Sequence, residues 1–290
     1  MPIYQAIVLA AIQGLTEFIP VSSSGHLIIV RRLLGWNELS PAHELTFDVA
    51  LHFGTLLSVL LYFRRTWVQI IQAAFGGKVV RFSEAAAPDQ PLTPAEQREE
   101  RLLLWFMALA TIPGAIAGKL LEHSAEDYFR EHIYLIAGAL ILVALLMAWA
   151  ERVGRMVKPL TQVSLSDALV VGCAQATALV PGVSRSGATI TAGLFRNLTR
   201  EAAVRFSFLL STPIIAGAAL LKAHELRKEG LPPGMHAPFL VGVAVSAVVG
   251  YLTIRWLIRY LQSNSLTVFV VYRIILGIIV IGLALLWHLQ

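Results

Sequence analysis

Apolar residues along this chain gather into blocks separated by polar stretches, and the blocks fall into two length classes. Those at about 46–63, 102–121, 133–150, 204–222, 238–260 and 266–288 are near the roughly 20 residues an α-helix needs to cross the hydrocarbon of a bilayer. They predict six transmembrane helices. The stretches 3–17, 25–35, 165–179 and 187–196 are shorter or broken by Pro, Ser and Gly, and they predict re-entrant half-helices. The expected order is a pair of half-helices, three crossings, a second pair and three crossings. An odd number of crossings per unit turns the second unit upside down relative to the first, the inverted-repeat arrangement. The expected fold is an all-α polytopic membrane protein, a single domain over 1–290, with repeat one at about 1–150 and repeat two at about 163–288.

One segment carries the repeat. Gln13-Gly-Leu-Thr-Glu17-Phe-Ile-Pro20-Val-Ser22-Ser23-Ser24-Gly25-His26 returns 162 positions later as Gln175-Ala-Thr-Ala-Leu179-Val-Pro181-Gly-Val-Ser184-Arg185-Ser186-Gly187-Ala188. Gln, Val, two serines and Gly coincide at that offset. Each copy ends an apolar run with a Pro-broken, Ser/Gly-rich turn. At membrane depth such a turn releases backbone groups that must find partners without water, so it normally lines a protein cavity or a wet site. Two broken elements in corresponding halves point to a binding site at the repeat interface.

Composition supports the membrane reading: 57% of residues are hydrophobic, 14% are charged, and the mean hydropathy is +0.70, more apolar than a usual soluble domain. The net charge of +5 sits mostly at span ends, where it serves topology and anionic headgroups, so nucleic acid is not an expected partner. Loops 64–101 and 151–164 hold nine Lys and Arg against four in 122–132 and 222–237. The richer loops should be cytoplasmic. The stretch 76–101 reads as a cytoplasmic loop in which Thr93-Pro94-Ala95-Glu96 has the form of a helix start with a capping box. The N-terminus has no basic leader before its first apolar run and reads as fold, not signal peptide. Cys173, the lone cysteine, offers neither disulfide nor thiolate metal site and reads as a small core residue.

Chemistry is sought where polar groups enter apolar surroundings. Gln13 and Glu17 are four apart and share a helix face, and an ionisable group at membrane depth is a functional candidate. His26 follows Ser22, Ser23, Ser24 and Gly25 at the opening of a helix, where backbone N–H groups gather an anion. In the second copy Leu179 replaces Glu17, Ala188 replaces His26, and Arg185 enters where the first has Ser23. An Arg between Ser184 and Ser186, before Gly187 and Thr189, suits the grip of a phosphate. The acid and His thus lie in one half and the anion clamp in the other. Phe47-Asp48 and His52, at the start of the first full span, read as core or cap residues that could add a second acid or metal ligand.

Gln13-x-x-x-Glu17 with Pro20-Val-Ser-Ser-Ser-Gly25-His26, and Pro181-Gly182-Val-Ser184-Arg185-Ser186-Gly187-Ala-Thr189, resemble the two signature regions of bacterial undecaprenyl-pyrophosphate phosphatases of the bacitracin-resistance type. The resemblance in span layout covers essentially the whole chain. It implies an inner-membrane enzyme that removes the terminal phosphate of undecaprenyl pyrophosphate for peptidoglycan synthesis, depends on a divalent cation (Mg2+ or Ca2+), and faces its site to the periplasm. Gln13 stands where some members carry Glu, so a mechanism needing two carboxylates on that helix lacks its second acid here.

The acid-phosphatase-like lipid phosphatases echo Ser24-Gly25-His26 and Ser184-Arg185 but need His and Asp downstream, where this chain has Thr191 and Phe195; that class is rejected. A transporter or flippase of a phosphorylated lipid or small anion is the alternative, because inverted repeats with broken helices also build transporters. For the phosphatase, the expected catalytic residues are Glu17, Ser23, His26 and Arg185, with Ser23 attacking and Glu17 or His26 activating it. Gln13, Ser22, Ser24, Gly25, Ser184, Ser186, Gly187 and Thr189 are expected to bind substrate, and Glu17 is the expected metal ligand. Water as nucleophile fits the same residues. The partners expected are the polyprenyl pyrophosphate and membrane lipids, with homodimerisation left open.

Overall fold

The computed structural model describes residues 1–36, 39–77, 94–229, 231 and 234–287. Among them the secondary structure is helical with no strand beyond an isolated bridge between Lys158 and Leu198. The helices are α1 Ile3–Thr16, α2 Ser23–Leu34, α3 Pro41–Tyr62, α4 Arg64–Ala74, α5 Pro94–Glu131, α6 Ile133–Val153, α7 Leu165–Ala176, α8 Arg185–Phe195, α9 Arg200–Glu229, α10 His236–Ser263 and α11 Thr267–Trp287. Six of these, α3, α5, α6, α9, α10 and α11, are long and apolar enough to cross a bilayer. The expected half-helices are α1, α2, α7 with a following 3-10 turn at Thr177–Leu179, and α8.

Local chemistry explains where the short helices stop and restart. Pro20 and Pro181 lack the N–H that a continuing helix would use. The chain then turns through Ser22 (φ 76) and Ser184 (φ 73), non-glycine residues with positive φ. Each serine N-caps the next helix, its Oγ accepting from the backbone N–H of Gly25 in one copy and Gly187 in the other. α7 opens on a capping box between Ser164 and Asp167, with Lys158 Nζ at 2.6 Å and Arg196 Nε at 2.7 Å from the Asp167 carboxylate.

Packing pairs α1 with α10 and α7 with α5, α3 with α9, and α6 with α11. Exchanging α1 with α7, α3 with α9, α5 with α10 and α6 with α11 reproduces the same set of pairs. The first broken element of each half therefore lies against the middle crossing of the other. At the α1–α10 crossing a Cβ on Gly14 would stand 2.8 Å from Val249 Cβ and 2.9 Å from Gly250 N, so the backbones approach as closely as small residues allow. Phe18, fully buried, meets Phe208 of α9 edge-on at 5.1 Å and anchors the residue next to Glu17.

Several expectations are corrected. Segment 64–101 is not loop throughout: α4 forms because Phe63, Trp67, Ile70 and Ala73 recur at helical spacing and pack against the core, although the segment is too short and basic to span. The capping box at Thr93 falls outside the described residues; α5 does begin at Pro94, and its continuation to Glu131 makes 122–131 helix where a loop was expected. α9 likewise runs to Glu229. Falling hydropathy ends a membrane span, but without Gly or Pro it does not end a helix. Cys173 is exposed, not core, because α7 turns Ala168, Val171, Gly172 and Gln175 inward.

Candidate active site

The two turns meet, and Glu17 lies between them, 5% exposed. Its Oε1 accepts from Arg185 Nη2 at 3.0 Å. Its Oε2 accepts from Ser23 Oγ at 2.7 Å and from Gln13 Nε2 at 3.0 Å, with His52 Nε2 at 3.4 Å. One carboxylate thus gathers groups from α1, α2, α3 and α8. An ionised pair is costly to bury unless its remaining lone pairs and protons are satisfied, and here the remaining lone pairs of the carboxylate are occupied.

The turns also bond directly to each other. Gly182 N donates to Ser22 Oγ at 3.1 Å, and Ser186 Oγ donates to the Ile19 carbonyl at 3.2 Å. Ser22 and Ser24 hydroxyls lie 3.5 Å apart, and Ser184 and Ser186 hydroxyls 3.1 Å apart. Thr189 Oγ1 bonds back to the Arg185 carbonyl at 2.7 Å and reaches Ser207 Oγ at 2.6 Å; it braces α8. Gly25 and Gly187 contribute the capped N–H groups.

A cavity of about 250 Å³ opens at this junction, lined on its polar side by Glu17, Ser23, Ser24, Asp48, His52, Gln175, Ser184 and Arg185. The N-termini of α2 and α8 begin at its wall, a setting that favours an anion. Glu17, Ser23, Ser24, Ser184 and Arg185 of the expected site line it directly. Gln13, Ser22, Gly25, Ser186, Gly187 and Thr189 support that lining from behind. His26 does not face the cavity: its Nδ1 lies 2.7 Å from the Ser22 carbonyl and its Nε2 2.7 Å from the Tyr272 hydroxyl. The ring donates from Nδ1, accepts from Tyr272, and stacks on the Tyr272 ring with centroids 5.7 Å apart.

Three residues with no expected catalytic or binding role stand at the junction. His52, expected as a core or cap residue that could add a metal ligand, approaches Glu17 while its Nδ1 donates to the Asp48 carbonyl at 2.8 Å. Gln175, 4% exposed, has no protein partner for either amide atom, although it is the repeat counterpart of Gln13. Arg273, wholly buried in α11, donates to the carbonyls of Pro20 at 3.0 Å, Gly182 at 2.8 Å, Val183 at 3.0 Å and Leu140 at 3.1 Å. It thereby satisfies carbonyls that both broken helices release. An arginine in the middle of the last apolar block was the signal that could have found it. Asp48 is held by Arg31 through paired hydrogen bonds, one of 2.8 Å.

The fit of a divalent ion can be judged from donors. Among the described residues no group of three or more His, Cys, Asp and Glu gathers; Glu17 and Asp48 are the acids lining the cavity, and each is already engaged by an arginine, Arg185 and Arg31. That set makes no protein cage for Mg2+ or Ca2+. It does fit an ion held chiefly by phosphate oxygens with one carboxylate, the usual manner of Mg2+ at phosphate sites.

Comparison with known proteins gives a match to the family model of the bacitracin resistance protein BacA over residues 6–279. The chain belongs to this family. It is 49% identical to a protein of Trichlorobacter lovleyi named undecaprenyl-diphosphatase, over 98% of this chain and 97% of that one. Proteins of the same name from Geobacter metallireducens, 46% identical over 94% of each chain, and Pelotomaculum thermopropionicum, 43% identical over 98% and 97%, are similar throughout. Like them, this member of the BacA family is a membrane enzyme, and the multi-pass helices accord with the expected fold class.

Proposed function

We propose that this BacA-family protein hydrolyses undecaprenyl pyrophosphate to undecaprenyl phosphate and inorganic phosphate, returning the lipid carrier to cell-wall synthesis at the bacterial inner membrane. The observation that carries the reading is the buried Ser23–Glu17–Arg185 chain, hydroxyl to carboxylate to guanidinium at 2.7 and 3.0 Å, beside two helix N-termini in one cavity. A hydroxyl on a base next to an anion clamp suits phosphoryl transfer and has no evident use in passing a solute. The relatives' names favour the same choice over a transporter.

In the reaction, Ser23 Oγ attacks the terminal phosphorus as its proton passes to Glu17 Oε2. The bond from that phosphorus to the bridging oxygen breaks, and the polyprenyl phosphate leaves with the bond's electron pair. Arg185, the first-turn amides of α2 and α8, and the Gln175 amide receive the oxygens on which charge is spread. Glu17 passes that proton to the departing phosphate, and the regenerated carboxylate then deprotonates a water molecule that cleaves phosphoserine, releasing inorganic phosphate and returning the proton to Ser23 Oγ. A bound Mg2+ or Ca2+, held by the pyrophosphate and Glu17, would supply further neutralisation of the phosphate charge. Gln13 fixes the Glu17 rotamer, and His26 positions the entry to α2 through the Ser22 carbonyl.

The basic loops and the place of the cavity support a periplasmic site. Its α3 residues, Leu45, Asp48, Val49 and His52, lie in the half of that helix away from Tyr62 and α4. With 64–101 in the cytoplasm, the cavity opens toward the periplasm, and the second repeat is inverted relative to the first. The test is phosphate release from polyprenyl pyrophosphate by purified protein, set against lipid flipping in liposomes. Flipping without phosphate release would sink the phosphatase reading.

A further inference from the structure

A second cavity, about 370 Å³ and almost wholly apolar, lies between α3 and α9, with Val243 of α10 also in its wall. Val49 lines both this cavity and the polar one at Glu17, so the two are neighbours along the same helix pair. The slot has a simple origin. α9 presents Ala216, Ala219 and Ala223 toward α3, at the spacing of one helix face, and three missing side chains leave a trough. Its rim is formed by Phe53, 42% exposed, and Leu220, 73% exposed, so it opens sideways from the protein at the depth of the apolar spans. Thr46 contributes the single polar side chain among its walls.

We propose that this trough binds isoprene units beyond the first and is the chain-length-sensing part of the site. The inference rests on the phosphatase reading above and adds to it the path of the lipid. A pyrophosphate seated between Arg185 and Ser23 is joined to an apolar chain that must leave the polar cavity for the bilayer. The trough starts where that cavity ends, is walled by the next faces of the same two helices, and offers aliphatic and aromatic surface with an open rim. A free phosphate or a soluble diphosphate would have no use for it.

The test compares dimethylallyl pyrophosphate, with one isoprene unit, and a long polyprenyl pyrophosphate as substrates for wild type and Ala219→Phe. Filling the trough should lower kcat/KM on the long substrate about tenfold or more, mainly through KM, and leave the one-unit substrate within about twofold, both estimates of the size seen when apolar subsites are blocked. Equal losses on both substrates, or no loss on either, would overturn the proposal. Phosphate release from neither substrate by wild type would overturn the phosphatase reading with it, so the two failures are distinguishable. A measurement that needs no variant is photolysis of wild type with a polyprenyl pyrophosphate bearing a diazirine in the units just beyond the first. Adducts within 46–56 and 216–223 are expected; adducts confined to other helices, or adducts displaced by excess phospholipid, would overturn it.

Discussion

Glu17 and Arg185, drawn from the two copies of one motif, form an ion pair of 3.0 Å in which each supplies what the other copy lacks. Leu179 holds the position of Glu17 in the second copy and Ser23 that of Arg185 in the first. The repeat has therefore diverged into an acid half and a cation half. The site exists only where the halves touch.

Arg185→Lys is expected to lower kcat by roughly 10²–10³-fold, because Lys keeps the charge without the planar fork that can hold Glu17 and a phosphate together. Glu17→Gln should lose about 10²–10⁴-fold as the base for Ser23 disappears. Arg185→Ala should also cost stability, because Glu17 loses its guanidinium partner and keeps only Ser23, Gln13 and the more distant His52. Phosphate-release kinetics and detergent-solubilised melting check both. Near-wild-type turnover in Arg185→Lys and Arg185→Ala would remove the arginine from the site.

The two glutamines should separate binding from support. Gln175 has no protein partner for its amide, so Gln175→Ala should leave stability unchanged and weaken substrate binding about 10–100-fold, the range of one hydrogen bond to a charged group. Gln13 donates to Glu17 at 3.0 Å; Gln13→Ala should act chiefly on kcat. Equal effects of the two on KM and kcat would contradict this division.

These contrasts also mark what the sequence could disclose. Pro20, Pro181 and the serines broke an apolar period twice in the same way, so the turns and their meeting were legible. The place of His52 was not, because inside a long apolar block nothing in the spacing says which face turns toward Glu17, whereas Arg273 left a signal as an arginine within the last apolar block. His26 stands at the opening of α2 as expected, and the turn of that helix brings its ring against Tyr272. Polar helix extensions beyond the membrane were hidden because hydropathy reports the solvent, not the backbone.

The α7 entrance predicts a pH effect on stability. Burial opposes ionisation of Asp167, but Lys158, the Ser164 N–H and hydroxyl, and Arg196 outweigh it and hold the carboxyl below its ordinary range. A depressed folded-state value stabilises above the unfolded value, about 3.9, and is lost as pH falls through the folded one. Asp167→Asn should therefore melt lower than wild type at pH 7, with the gap closing only below about pH 4. A gap that closed between pH 6 and 8 would assign the effect to another group.

Topology can be read by labelling. In a Cys173→Ser background, needed because Cys173 is exposed, a cysteine at Arg65 of α4 should resist an impermeant maleimide in intact cells, and one at His132 should react. The reverse pattern would place the cavity on the cytoplasmic side.

The choice between a covalent and a water mechanism falls on Ser23. Its Oγ lies 2.7 Å from Glu17 Oε2, the geometry of a nucleophile and its base, and it lines the cavity at the N-terminal turn of α2. If Ser23 attacks, Ser23→Ala removes the reacting atom, and turnover should fall by several orders of magnitude while the Glu17–Arg185 pair and the melting temperature persist. If water attacks, the vacated space beside Glu17 admits the water that the carboxylate would activate, and the variant should keep much of its rate. Retention of more than about a tenth of wild-type turnover, a loss under about 1.4 kcal/mol in the barrier, would sink the covalent route and leave hydrolysis standing. Trapping of a phosphoserine at position 23 after acid quench of wild type, absent from Ser23→Ala, would establish the covalent route directly.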